Sequence, residues 1–185
     1  MRGTDDAPQP KEVRDLLVVG GTPFFGPTSS TQREMARAWS RQGGKVLYLE
    51  LGGASEPYRE RVLQAGREPV EAATGLWVLR LRALPGLAWS CPDFLRRLNL
   101  RRNQRAVRRA LDAAGLAPGA FAAVYYGWFW AEWAGRLGAA AEVYDCTDEH
   151  RAGWAIAGRP KRERYVWECE RRLMARVDLL AAVSA

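Results

Sequence analysis

Between Asp15 and Leu51 two apolar segments, DLLVVG and KVLYLEL, flank one stretch of helical spacing, and few folds accommodate that alternation. Asp15 to Gly20 is a continuous apolar run closed by glycine, the pattern of a strand covered on both faces. The loop Gly20 to Pro27 (GGTPFFGP) follows, and then a helix start. Thr31 and Glu34 have the spacing of a capping box, as do Ser29 and Gln32. Met35, Ala38, Trp39 and Gln42 recur at helical intervals, and Gly43-Gly44 supplies a C-terminal stop. Lys45 to Leu51 is the second strand. A strand, helix and strand of this length form a βαβ unit, whose crossover is right-handed.

The alternation continues. Gly52 to Val70 is mixed, with a short helix expected near Pro57 to Gly66. Leu76 to Leu81 (LWVLRL) reads as a third strand, Pro85 to Pro92 as a loop, and Asp93 to Ala114 as an Arg-rich amphipathic helix. Phe121 to Tyr126 (FAAVYY) is a fourth strand, followed by an aromatic helix over Trp128 to Leu137. Ala141 to Tyr144 is a fifth, Pro160 to Arg176 another Arg/Glu-rich helix, and Asp178 to Val183 (DLLAAV) a sixth. The expected fold class is α/β: a doubly wound, mainly parallel, Rossmann-like sheet of about six strands with helices on both faces. Residues 1–14 form a polar leader and 15–185 one domain. A buried sixth strand with no covering helix after it suggests part of a longer, two-domain chain.

Charge adds a weaker constraint. The net charge is +7, but only three of the 28 basic residues are lysine (Lys11, Lys45, Lys161). The arginines concentrate in Arg96 to Arg109 and Arg159 to Arg176. Such runs are usually solvated helix faces. In the second, Arg164, Glu168 and Arg172 stand at i, i+4 and offset one another. The first has almost no acids and is the candidate for peripheral contact with phospholipid head groups. Three cysteines (Cys91, Cys146, Cys169) without a CxxC pair argue against a disulfide framework or structural zinc. The acidic start does not read as a signal peptide, and no apolar run approaches the roughly 20 residues of a membrane span. The expected location is cytoplasmic, peripheral to the inner face of the membrane.

In parallel sheets of this kind ligands gather beyond the carboxyl ends of the strands. Three constellations fall there. The loop after the first strand carries Gly21, Thr22 and Phe24. It is neither GxGxxG nor a P-loop, and Pro23 and Pro27 remove donors that a phosphate cradle would use. It reads equally as a cleft-lining loop and as a plain connection. After the fourth strand come Trp128, Phe129, Trp130 and Trp133. Phe129 and Trp133 share a helical face and are expected in the core, whereas Trp128 and Trp130 are the candidates for stacking on a sugar or lipid. After the fifth strand, Tyr144-Asp145-Cys146-Thr147-Asp148-Glu149-His150 brings together three carboxylates and the only histidine. Asp145 is expected to cap the following turn. Asp148 and His150 read equally as loop residues and as groups that orient or deprotonate an acceptor hydroxyl. A recognisable metal-ligand spacing is lacking.

With these elements in place, the chain resembles the N-terminal domain of GT-B-fold glycosyltransferases, in the broad group four-like set that includes teichuronic-acid and capsule enzymes. The likeness rests on DLLVVGGTPFFGPTSSTQREMARAWSRQGGKVLYLEL, on YDCTDE at Tyr144 to Glu149, and on the closing ECERRLMARVDLLAAVSA with Glu170 and Ser184. It implies transfer of a sugar from a nucleotide-sugar donor, bound mainly by a missing C-terminal domain, to a glycan or lipid-linked acceptor held by this half. It implies no cofactor and no metal, and little activity from these residues alone. Asp148 and His150 are the expected catalytic residues; Gly21, Thr22, Phe24, Trp128 and Trp130 are the expected acceptor-side residues. Nucleic acid is not a partner on this reading. Two rivals remain: a nucleotide- or dinucleotide-binding oxidoreductase domain, and a non-catalytic basic module binding nucleic acid or membrane through Arg96 to Arg109.

Overall fold

The computed structural model describes residues 13–20, 22, 24–25, 30–51, 68–81, 93–146 and 155–182. Seven described strands form one sheet: β1 (Asp15–Val19), β2 (Val46–Leu51), β3 (Val70–Ala73), β4 (Leu76–Leu81), β5 (Phe121–Tyr125), β6 (Ala141–Cys146) and β7 (Leu179–Ala182). Their order is β3-β4-β2-β1-β5-β6-β7. Every pairing is parallel except β3 with β4. The expected count of about six is therefore corrected to seven. The addition is β3, an antiparallel edge strand joined to β4 through Thr74-Gly75, inside a span partly read as irregular.

β1 is central, pairing with β2 from Leu16 to Val19 and with β5 from Asp15 to Val19. Because strand side chains alternate, the sheet carries a core on each face. On one face Leu16, Val18, Val46, Tyr48, Leu76 and Val78 pack with Ala36, Met35 and Trp39 of helix α1 (Thr31–Arg41). On the other, Leu17, Val19, Leu47, Leu49, Leu79 and Leu81 join Val107, Ala110, Leu111 and Ala114 of α2 (Asp93–Ala114). Val166, Cys169 and Leu173 of α3 (Pro160–Met174) belong to that same core.

Local signals explain most boundaries. Ser30 caps α1, its Oγ accepting from the Arg33 amide at 3.3 Å. The cap thus lies between the two capping-box pairs expected from the sequence. Pro160 at the start of α3 lacks the donor that a first turn cannot use. Arg164 and Glu168 pair at 3.3 Å as expected. Arg172 instead reaches Glu132 at 2.8 Å and gives Glu168 only a bond to its main-chain oxygen.

β7 departs from expectation. All four of its residues are exposed, with Leu179 at 59% and Leu180 at 47%. Its apolar sequence had suggested a strand covered on both sides, and instead it stands open at one end of the sheet. Among the described residues, no helix is long and apolar enough to cross a membrane.

Candidate functional site

The loops that leave β1 and β5 emerge side by side, because these strands are neighbours and parallel. At the end of β1 the Gly20 amide donates to Leu49 O at 2.8 Å. A side chain at Gly20 would place its first carbon 2.6 Å from the Tyr48 ring, so only glycine fits against that ring. The Tyr48 hydroxyl lies 2.9 Å from Thr22 O and 3.2 Å from Gln32 Oε1, with one proton to share between these acceptors. Burial pushes the Tyr48 phenol up to about 12, keeping it a neutral donor. Thr22 Oγ1 sits 3.1 Å from Ser30 Oγ, which ties the loop to the cap of α1.

Phe24, expected to line the cleft, is buried instead. Its ring meets Tyr48 edge-on at 5.1 Å and Phe25 at 5.2 Å, and the Arg37 guanidinium lies 5.4 Å from its centroid. It plugs the α1-side core, a role open to any aromatic residue in a loop that folds back over a sheet.

Beneath Phe24 lies a charged cluster that the sequence reading missed. Glu50 and Arg80 are paired neighbours on β2 and β4, both buried, with Arg80 Nε 3.5 Å from Glu50 Oε1. The second Glu50 oxygen accepts from the Phe24 amide. Arg33, also buried, donates to Phe24 O at 3.4 Å and lies 3.5 Å from Glu34. Burial holds the Glu50 carboxyl above the usual carboxylate range, against the opposing pull of the Phe24 amide and Arg80. The available signal was positional: one charge at the penultimate place of each of two apolar strands, VLYLEL and LWVLRL.

At the end of β5 the Tyr126 amide bonds to Val19 O at 3.0 Å, and Gly127 turns the chain at φ 119°, a conformation that favours glycine. The segment that follows is a single 3-10 turn, Trp128–Trp130, continuing in turns through Gly135. It is not the aromatic helix expected over Trp128 to Leu137. Trp128 and Trp130 are 2% and 3% exposed, so neither offers a ring face to a sugar or lipid. Their stacking role is corrected: Trp128 packs edge-on to Tyr165 of α3 at 5.6 Å, and Trp130 lies 5.4 Å from Trp133. Trp130 Nε1 donates to Gly20 O at 3.1 Å, clamping the β5 loop onto the end of β1. Trp133 is buried as expected, whereas Phe129 is only partly buried.

At the end of β6 the structure describes Tyr144, Asp145 and Cys146. Tyr144 donates to buried Glu170 at 3.2 Å. Asp145 is half-buried and stands near Tyr126, whose hydroxyl donates to Met35 Sδ at 3.3 Å and whose phenol is pushed up by burial first and then by this carboxylate. The expected cap by Asp145 on the following turn, together with Asp148, His150 and Gly21, lies outside the described residues. What the structure brings to one edge is therefore Thr22, Phe24, Trp128, Trp130, Tyr126 and Asp145. Thr22 and Asp145 are its half-buried polar groups, able to accept hydrogen bonds from a hydroxylated ligand. Among the described residues, no group of three His, Cys, Asp or Glu side chains is placed to hold a metal. No protein-family model matches the chain, and no curated protein matches it.

Proposed function

We propose that this chain is the acceptor-side half of a GT-B glycosyltransferase, with a doubly wound, Rossmann-like core. In this reading it holds a glycan or lipid-linked acceptor at the carboxyl edge of its sheet, and a nucleotide-sugar donor is bound by a second lobe. The observation that carries the reading is the reversal of strand order at β1. From β1 the chain goes outward through β2 and β4, then returns to β5 on the opposite side. Loops flanking such a reversal leave a crevice, the usual ligand position in parallel sheets. In this reading Thr22, in the loop after β1, and Asp145, on β6, supply groups suited to sugar hydroxyls.

The oxidoreductase rival fits less well. A dinucleotide site needs a G-x-G-x-x-G turn, whose second glycine admits the pyrophosphate, and a free acid at the end of the second strand. Here the loop reads GGTPFFGP, and Glu50 is occupied by Arg80 and the Phe24 amide. The nucleotide-sugar donor, the acceptor class and the cytoplasmic setting form part of the proposal, with Asp148 and His150 as its catalytic residues.

Saturation-transfer NMR with NAD, NADP, a panel of nucleotide sugars and a panel of oligosaccharides tests it. Acceptor sugars should bind weakly, and Thr22→Val and Asp145→Ala should each weaken that binding about ten-fold, the worth of one charge-assisted or two neutral hydrogen bonds. Micromolar binding of NAD or NADP, with no response to any sugar, would overturn the assignment.

A further inference from the structure

α2 and α3 pack into the same core, on the sheet face opposite α1, so their outer surfaces project from the same side of the molecule. α2 turns Asn103, Val107, Ala110, Leu111 and Ala114 inward and leaves Leu98, Arg101, Arg105, Arg108 and Arg109 exposed. α3 buries Val166, Cys169, Glu170 and Leu173, and exposes Lys161, Arg164, Trp167 and Arg171 on its opposite side. Among the described side chains, these two stripes carry seven exposed bases against two exposed acids, Asp112 and Glu168. Large apolar side chains stand among them. Trp167 is 42% exposed, and Ile156, just before α3, is 88% exposed.

We propose that this helical layer, with α3 as well as α2 in contact, is a docking surface for an anionic phospholipid membrane. Charge complementarity supplies the attraction: each basic side chain brought to an anionic leaflet is worth roughly five-fold in affinity at physiological salt. Arginine suits phosphate esters because its planar fork bonds two oxygens at once. Attraction alone would serve nucleic acid equally well. The exposed apolar side chains decide between the two. An indole prefers the head-group level, and an aliphatic side chain on an open turn gains only where it can leave water. Trp167, Ile156 and Leu98 therefore favour a lipid surface over a polyphosphate. Arg164 contributes less than the others because Glu168 already pairs with it. None of the side chains named for this surface is used by the transferase reading, so the inference stands or falls separately from it.

Co-sedimentation of the full chain with vesicles of phosphatidylcholine alone, and of phosphatidylcholine with 30 mol% phosphatidylglycerol, at about 50 and 300 mM salt, tests the proposal. Binding should need the anionic lipid and weaken with salt. Arg101→Glu with Arg105→Glu should reduce it at least ten-fold, roughly two charge reversals at the surface. Trp167→Ser and Ile156→Ser should each reduce it roughly three-fold, with urea midpoints unchanged as a check on folding. A parallel titration with a short DNA duplex provides the contrast. Absence of anionic-vesicle binding at low salt overturns the proposal. So does vesicle binding that Trp167→Ser and Ile156→Ser leave untouched, or duplex binding tighter than vesicle binding.

Discussion

β1 and β7 share an Asp-Leu-Leu stretch, with Asp15 opening β1 and Asp178 just before β7, and end in different worlds. In β1 every residue from Leu16 to Val19 is buried, whereas in β7 all four are exposed. Their aspartates do the same work: Asp15 accepts from the Lys45 amide at 3.0 Å, and Asp178 from the Glu142 amide at 2.8 Å. Each fixes the register of its strand against the neighbour. The difference lies in what surrounds them. β1 has strands on both sides and helical layers above and below, whereas β7 is an edge strand paired with β6 alone among the described strands. Strand formation and strand burial are thus separate properties. Local sequence governs the first, and position in the sheet governs the second.

The sharpest way to break the comparison is at the clamp that makes β1 central. Trp130→Ala removes a buried indole and its bond to Gly20, and should cost about 3 to 5 kcal/mol in urea unfolding. A cost under 1 kcal/mol would mean that β1 and β5 do not depend on this turn. Next comes a matched pair of truncations. Leu17→Ala in β1 should cost about 2 to 5 kcal/mol, and Leu180→Ala in β7 less than about 0.5 kcal/mol. Equal losses would mean that β7 is covered in solution.

A third measurement follows stability against pH. Burial raises the carboxyls of Glu50 and Glu142 above their ordinary range. Each therefore holds its proton more tightly folded than unfolded, so stability falls as pH rises from the ordinary carboxylate value through the raised one. Glu50→Gln and Glu142→Gln should each flatten that decline; an unchanged slope would show the carboxyls to be well solvated. Asp15→Ala and Asp178→Ala should each cost about 1 to 2 kcal/mol. Similar values would confirm that the two aspartates act alike despite the contrast in burial.

Much of the fold was legible because independent signals agreed. In Asp15 to Leu51 the apolar runs, the helical period and the glycine stop all point one way, and Leu76–Leu81 and Asp93–Ala114 fall where their patterns place them. β3 escaped because VEAA has no apolar alternation, and its pairing comes from β4 rather than from itself. The aromatic turn was misread because Phe129 and Trp133 stand at helical spacing, although Gly135 interrupts that segment, and Gly127 and Gly138 bound it, with positive φ. Trp128 and Trp130 looked exposed because Phe129 and Trp133 took the inner face of the expected helix, and Phe24 because it lies in a loop. A loop that folds back over a sheet end becomes core. The Glu50–Arg80 pair was invisible for the opposite reason: one polar residue in a strand normally marks its solvent side.

The Trp130 bond to Gly20 spans 110 residues of chain. On the ribosome, at roughly 5 to 20 residues per second, that separation corresponds to on the order of ten seconds. Throughout that interval β1 can engage β2 but has no second neighbour, leaving an apolar hydrogen-bonding edge available to any nascent chain nearby. The strand that finishes best protected in the mature sheet is thus the one left waiting during synthesis. Slower translation upstream of Phe121 should raise the demand for chaperones.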